Sequence, residues 1–526
     1  MRIRISVNKI SKKHACFCQK PINNVVYILP FMLKPLKEAC GVFGAQDFEH
    51  KPVFPYIYWG LRAQNHRGHQ SHGFLTFHEK FHVHKDLDLV PKIKKEKIQE
   101  WLNLLPGYVG IGNIRYTTSG GTDESSLIKG AQPILAQSEK MGVGISFNGN
   151  IVNNFGLKRE LEKRFPGFSC ECDAEVICRK LLMELMETDD LASSVRTCME
   201  EIEGAFSIAG VTQNGELFAF KDPHGIRPLC CGRSEDRETY AVSSETVGLD
   251  INGFEHCFEI KPGELVIISK DGFVRNQLVR GERKALCCFE FAYFSRPDST
   301  LGNKHVYEVR EDFGRNLGRE YSEIAKKADI IMSIPETGND AAYGLHEETG
   351  VRWERASRRH RYVTERAFIL LSRERFTTID RKINILDRKI SGKTIAVVED
   401  SIVRGDTTKV IIEKLRKKGA KKVHVFVTFP RIISPCFYGI DMATYNELIG
   451  SRYGPEEIAE RIGADTVNYQ SIDGLVRATG MKKDELCLGC VTGKYPTPLA
   501  QKLADEMKEK FERGFKETGR IYEVMA

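Results

Sequence analysis

The sequence predicts two successive domains of α/β and α+β character: a sheet-rich N-terminal half, then a C-terminal half built on a parallel sheet flanked by helices. Three observations predict this. The 526 residues are more than one hydrophobic core organises, so two domains of ordinary size are expected. Apolar runs broken by Gly and Asn turns repeat through the first half, the mark of short paired strands. Beyond residue 275 the period alternates, with helical spacing over 307–327 and apolar runs of strand length at 330–334, 394–398 and 423–429. Such alternation belongs to a parallel sheet, whose ligands collect at the carboxyl ends of the strands.

Composition narrows the class before any motif is read. A hydrophobic fraction of 41% with mixed charge describes a soluble globular chain, and a net charge of +7 is too mild at this length to call for nucleic acid. No apolar run approaches the ~20 residues of a spanning helix, so no membrane is expected. Fifteen cysteines in so long a chain read as reduced thiols with metal or catalytic work, which points to the cytoplasm.

In chain order, the first 31 residues are basic and carry no acid, and 25–33 is an apolar patch. A signal peptide is disfavoured because Lys37 and Glu38 stand where small residues precede a cleavage point. Residues 1–39 therefore read as a leader, or as a start mis-assigned ahead of Met32. The first domain, 40–275, closes with a KDG turn at 270–272 and a polar connection over 275–284. The second, 276–497, contains a switch of period at 393–415. There 394–398 has the β-branched composition of a strand buried on both faces, and Val410, Ile411 and Leu415 recur at helical spacing. The intervening loop, EDSIVRGDTT at 399–408, leaves a strand and opens a helix, where free N–H groups and the helix dipole favour a phosphate. Hydroxyls and an arginine suit phosphate, while the adjacent acids Glu399 and Asp400 suit ribose hydroxyls or a hydrated magnesium ion. By spacing alone an ordinary charged turn would look the same. The pair Cys487 and Cys490 is open to zinc, redox or packing roles. Residues 498–526 have the spacing of an amphipathic helix, a packing or subunit element.

The 399–408 loop resembles the phosphoribosyl-pyrophosphate (PRPP) loop of type I phosphoribosyltransferases. In the form EDSIVRG it is similar in particular to that of the glutamine PRPP amidotransferases, or amidophosphoribosyltransferases. Further segments follow that family's order over roughly 36–500. EACGVFG at 38–44 resembles the start of the class II glutamine amidotransferases, N-terminal nucleophile hydrolases that expose a catalytic cysteine by removing a leader. The resemblance makes Cys40 the nucleophile and its freed α-amine, of reference pKa about 7.7 to 8.0, the general base. GIGNIRYTT at 110–118 resembles GIGHVRYST and implies that Arg115 clamps the glutamine α-carboxylate. FNGN at 147–150 resembles HNGN and implies an oxyanion hole made by the Asn148 side chain and the Gly149 N–H. CDAE at 172–175 matches SDSE, whose acid, here Asp173, would bind the α-amino group. SIPETG at 333–338 resembles the pyrophosphate loop, which puts Thr337, Glu399 and Asp400 at magnesium positions. The PRPP loop itself supplies Glu399, Asp400, Ser401, Arg404, Gly405, Thr407 and Thr408. Cys287, Cys436 within PCFYGID, Cys487 and Cys490 match the family's clustered branch, which carries a 4Fe-4S cube on four thiolates.

The implied fold is an N-terminal nucleophile domain followed by a type I phosphoribosyltransferase domain. The implied reaction is glutamine hydrolysis at Cys40 and attack of the ammonia on PRPP to give 5-phosphoribosylamine, the first step of purine synthesis. Implied partners are glutamine, PRPP, magnesium, purine nucleotides as feedback inhibitors, and further copies of the chain in a dimer or tetramer. Departures from the family pattern are His69, Gln70 and His72 in HRGHQSHG, Asn113 and Phe147 for histidines, and Asp406 for the first threonine of SIVRGTTS. The loop at 359–369 is one residue longer than usual, and Asp380 replaces an arginine. They keep open a paralogue that binds or regulates without catalysing. Another class II amidotransferase would lack the PRPP loop.

Overall fold

The computed structural model describes residues 40–116, 124–164, 167–168, 172–359 and 383–516. Residues 1–39, residues 360–382 with Asp380, and the end of the C-terminal segment lie outside the described residues. The N-terminal half is a four-layer sandwich of two antiparallel sheets covered by helices. One sheet has seven strands in the order Glu255–Glu259, Cys230–Arg233, Thr239–Ser243, Gly41–Asp47, Val109–Arg115, Ser71–His78 and Lys80–Leu87. The other has six, in the order Gly272–Gln277, Glu264–Ser269, Leu217–Lys221, Gly204–Thr212, Gly142–Ile151 and Ile134–Gln137. Val42, Leu75 and Ile111 of the first sheet pack against Ala209, Val211 and Val266 of the second. Helices Asp173–Thr188 and Leu191–Glu201 cover the outer face of the six-stranded sheet, and Phe54–Ala63 covers that of the seven-stranded one. Both faces of the central strands are therefore buried, which is why Gly41–Asp47 and Gly142–Ile151 are buried at every residue.

The C-terminal half is a four-stranded parallel sheet in the order Ile330–Ser333, Thr394–Glu399, Lys422–Val427 and Thr466–Tyr469. Helices Val306–Glu320 and Asn339–Thr349 cover one face; Asp406–Lys417 and Pro455–Ile462 cover the other. A third core joins the halves. Val152, Ala205 and Ile226 of the sandwich meet Phe289, Phe437 and Tyr438, and the C-terminal helix Pro498–Glu512 adds Ala500, Leu503 and Met507. At roughly 1.5–3 kcal/mol for each large apolar side chain buried, this junction fixes the two halves against each other. Among the described residues no helix is long and apolar enough to cross a membrane.

Two elements differ from the sequence reading. The expected helix over 307–327 stops at Glu320, because Tyr321 leaves helical geometry and its hydroxyl donates to the Tyr469 carbonyl at 2.9 Å; a short helix, Ser322–Ala325, follows. The polar run beginning at Arg275 is the end of strand Gly272–Gln277. Its charge is absorbed on the sheet, where Arg275 bonds Glu264 at 2.8 and 3.0 Å and lies 3.9 Å over the Phe258 ring.

Candidate active sites

Cys40 lies just ahead of a central strand. Gly41 pairs with Ile114, which sets Cys40 beside Arg115 at the strand end, and the thiol contacts the Tyr116 carbonyl at 3.7 Å. Burial pushes the thiol up; the Tyr116 contact and the charges of Arg115 and Arg227 oppose this, and Asp173 adds to it. Cys40, Arg115, Asp173 and Arg227 thus share one buried site. Asp173 is placed by the first turn of its helix, with its Oδ1 accepting from the Ala174 N–H at 3.1 Å. The Asn148 amide is fully buried, and neither its oxygen nor its nitrogen has a hydrogen-bond partner among the described residues. A buried amide with both ends unmet marks a place prepared for a ligand. Gly149 follows it. Phe206, opposite Gly149 in the ladder, gives its N–H to Asp222 at 3.1 Å and accepts from the Asp222 N–H at 2.8 Å, so the ladder does not consume the Gly149 amide. Only glycine fits there, because a Cβ would lie 1.9 Å from the Ala205 carbonyl oxygen.

Beneath this site runs a buried ionic network. Arg67 donates Nε to the Cys40 carbonyl at 3.1 Å, and its terminal nitrogens bond Glu245 at 2.5 Å and Glu290 at 2.7 and 2.9 Å. Glu290 also holds Arg227 at 3.0 Å. Every one of these side chains is shielded from water, so the charges are matched within the core.

The second site forms at the carboxyl ends of the parallel strands. Glu399 is buried and Asp400 half-buried. Burial, reinforced by the Asp400 charge, pushes Glu399 up to about 8 against the Thr408 hydroxyl that donates to it at 2.6 Å. Burial raises Asp400 too, although the Thr337 and Ser401 hydroxyls donate to it and the Arg310 charge faces it. Two adjacent carboxyls so reluctant to ionise suit a cation, and Thr337 supplies an oxygen beside them. Gly405 takes φ +84°, and helix Asp406–Lys417 starts immediately after it, presenting its first N–H groups. Arg404 pairs with Glu447, and Thr407 is exposed while Thr408 is turned inward to Glu399. Burial raises the Asp406 carboxyl, opposed by Arg404 and Lys409.

Four cysteines meet in the junction core. Strands Leu286–Cys287 and Leu486–Cys487 pair in parallel, setting Cys287 opposite Cys487, and the Cys490 carbonyl accepts from the Ile433 and Ser434 N–H groups near Cys436. Burial pushes the Cys287 thiol up to about 12, with Cys436 and Cys490 near enough to add to it and Arg227 opposing. Among the described residues no three His, Cys, Asp or Glu side chains form a group that could hold a metal ion. The four buried thiols come from three segments, with the Arg227 charge alongside. Cys288, fully buried and hydrogen-bonded to Cys490, is a fifth thiol.

Comparison with known proteins follows the same division. The glutamine amidotransferase domain family matches residues 123–250. The amidophosphoribosyltransferase of Methanocaldococcus jannaschii is 39% identical over 477 residues, covering 88% of this chain and 98% of that one. That of Bacillus subtilis is 35% identical, covering 89% and 96%. The solved glutamine PRPP amidotransferase from B. subtilis, complexed with ADP and GMP, superposes with a TM-score of 0.78 at 33% identity, over 88% of this chain and 98% of that one. The chain belongs to the amidophosphoribosyltransferases.

Within that family frame the structure brings Cys40, Arg115, Asp173 and the Asn148 strand together, and separately Thr337, Glu399, Asp400, Ser401 and Thr408. Two departures from the family pattern touch each other: the Asn113 amide donates to the Phe147 carbonyl at 3.2 Å, tying the two sheets where histidines are usual. Thr408, expected in the PRPP loop, is buried and donates its hydroxyl to Glu399 at 2.6 Å. The roles of Arg67, Arg227, Glu245 and Glu290 escaped the sequence reading. The available signal was Glu290, a single acid inside the apolar run 286–294.

Proposed function

We propose that Cys40 hydrolyses the glutamine amide and that the ammonia passes through the interior to C1 of PRPP at the 399–408 loop. The products are glutamate, 5-phosphoribosylamine and pyrophosphate. The observation that carries this reading is the buried, unbonded Asn148 amide beside the Cys40 site, in a chain whose other half opens a helix behind two paired acids. Arg115 would clamp the substrate carboxylate and Asp173 its amine, leaving the scissile carbonyl between the Cys40 sulfur and the donors of Asn148 and Gly149. The general base would be the α-amine of Cys40 once the leader is removed, taking the thiol proton and passing it to the leaving ammonia. Thr337, Glu399 and Asp400 would hold magnesium, which neutralises pyrophosphate as the C1 bond breaks. Glu399, pushed up to about 8 by burial, would give up its proton on binding the cation. The helix start at 406–408, with Ser401 and Thr407, would cradle the 5-phosphate.

Cys287, Cys436, Cys487 and Cys490 would hold a 4Fe-4S cluster with a structural role in a reducing cytoplasm. The domains would be 40–275 and 276–497, with 498–526 as a closing segment. Purine nucleotides are the proposed regulators, since the B. subtilis relative was solved with ADP and GMP, and the proposed assembly is a dimer or tetramer. A paired assay tests the reading. Glutamate release should depend on PRPP and match pyrophosphate release mole for mole. Glutaminase that ignores PRPP would make the protein another class II amidotransferase, and no turnover would favour a regulatory paralogue. N-terminal sequencing of active protein should begin at Cys40; a start at Met1 or Met32 would reject the base.

A further inference from the structure

The segment 434–441 carries Cys436, but its backbone serves a second site. It crosses from the transferase half and lies on the strand that bears Asn148 and Gly149. Asn150 Nδ2 donates to the Phe437 carbonyl at 3.1 Å. Arg227 donates Nε and Nη2 to the Tyr438 carbonyl at 3.0 and 2.8 Å. Gly439, at φ +96°, comes so close to Gly149 that a Cβ on it would lie 2.8 Å from the Gly149 carbonyl oxygen and 3.3 Å from Arg227 Nη2. Phe437, Tyr438, Asn150 and Arg227 are all buried, so these bonds face no competition from water.

We propose that 437–439 is a positioning element for glutamine hydrolysis, setting the oxyanion hole from across the domain junction. The proposal rests on reading Asn148 and Gly149 as that hole. A glycine has the widest backbone freedom of any residue, and Gly149 occupies a position of the ladder that carries no bond to the facing strand. Its amide must nevertheless point at a developing oxyanion with donor distances of about 2.7–3.1 Å, so something else has to hold it. Gly439 blocks the Gly149 carbonyl on one side, and the Phe437 carbonyl fixes the neighbouring Asn150 side chain. The same element reaches the nucleophile. Arg227, held by the Tyr438 carbonyl, shares Glu290 with Arg67, whose Nε holds the Cys40 carbonyl. One loop thus sets both partners of the tetrahedral intermediate, the oxyanion donors directly and the nucleophile through two arginines and a carboxylate.

The test uses the full chain with Asn150→Ala and Gly439→Ala, and Asn148→Ala as reference. Removing an oxyanion donor typically costs about 100- to 1000-fold in kcat, so Asn148→Ala should fall in that range and the two positioning variants about 10- to 100-fold. Glutamine KM should change by less than about threefold, because the substrate clamps Arg115 and Asp173 are untouched. In Asn148→Ala and Asn150→Ala, which leave the route through Arg227, Glu290 and Arg67 to Cys40 intact, ammonia-dependent phosphoribosylamine synthesis and the rate of Cys40 alkylation by iodoacetamide, followed by mass spectrometry, should stay near wild type, since neither needs an oxyanion hole. Asn150→Ala introduces no clash and keeps the test valid if Gly439→Ala fails to fold. Unchanged glutaminase kcat in Asn150→Ala alongside an impaired Asn148→Ala would overturn the proposal. So would a parallel fall in alkylation and ammonia-dependent synthesis in Asn150→Ala, whose side chain does not touch Arg227; that would make the loop simple packing. Full activity of Asn148→Ala would instead overturn the oxyanion reading beneath it.

Discussion

Glu290→Gln is the sharpest perturbation of the buried network. The carboxylate has no exposure, receives two bonds from Arg67 at 2.7 and 2.9 Å, one from Arg227 at 3.0 Å and one from the Ser295 hydroxyl at 2.9 Å. Glutamine keeps the shape but cannot balance two guanidinium groups with no other route to water. Breaking one partner of a buried pair costs about 3–5 kcal/mol, where an exposed pair costs about 1 kcal/mol or less. For a domain of 150–250 residues each kcal/mol moves the thermal midpoint by about 2–4 °C, so a drop of roughly 6–20 °C is expected in the transition of the N-terminal half. Scanning calorimetry checked by near-UV circular dichroism separates that transition from the second domain's. Adding Arg227→Met should recover part of the loss, because it removes one of the stranded charges. A single-variant shift below about 2 °C, or strict additivity in the double variant, would refute the claim that these charges are compensated only by one another.

Three further outcomes follow from particular residues. Asp406 stands at the helix start proposed to cradle phosphate; two unit charges at about 8 Å and an effective dielectric of about 20 repel by roughly 2 kcal/mol, so Asp406→Thr should tighten PRPP about 10-fold or more in a calorimetric titration. Weaker binding would show that the carboxyl is adapted to the site. Anoxically purified protein should be brown and hold about four iron per chain, and a colourless zinc protein would remove the cluster from the account. Glu245 and Glu290 are raised by burial, but the His66 and Arg67 charges outweigh this for Glu245, and Arg67 and Arg227 do so for Glu290, leaving both below the usual range. Groups so depressed add stability above the unfolded carboxyl value of about 4.3 and lose it as pH falls further, so the urea midpoint of the N-terminal half should drop steeply below pH ~4.3. A midpoint flat from pH 7 to 3 would contradict the network.

How much was legible in the sequence depended on whether the signal was local. The unit 394–417 could be read because its period changes from strand to helix around a loop of distinctive chemistry, and the structure places each part where the period did. Thr408 was placed in the PRPP loop with no direction assigned to it, yet it precedes Ile411, Ile412 and Leu415 by three, four and seven residues, on the stripe that packs on the sheet. Following the helical phase one turn earlier would have turned it inward. Arg67, Arg227, Glu245 and Glu290 are spread over more than two hundred residues, and no spacing relates them; only folding brings their charges together. The bracing of Gly149 by Gly439 was equally hidden, because the motif around Gly439 announces a cysteine site and says nothing of what its backbone touches. The polar run at 275–284 misled for the opposite reason: a cross-strand glutamate and an aromatic face let Arg275 stay in a sheet.

If Cys40 makes ammonia for a separate PRPP site in the same chain, Cys40→Ala should divide the two half-reactions. Both substrates of nitrogen should be tried on the purified variant with PRPP and magnesium. Glutamine-dependent phosphoribosylamine formation should vanish, while synthesis from ammonium salts should continue near the wild-type rate. Retained glutamine-dependent synthesis, or loss of the ammonia reaction together with it despite an unchanged fold, would contradict the account.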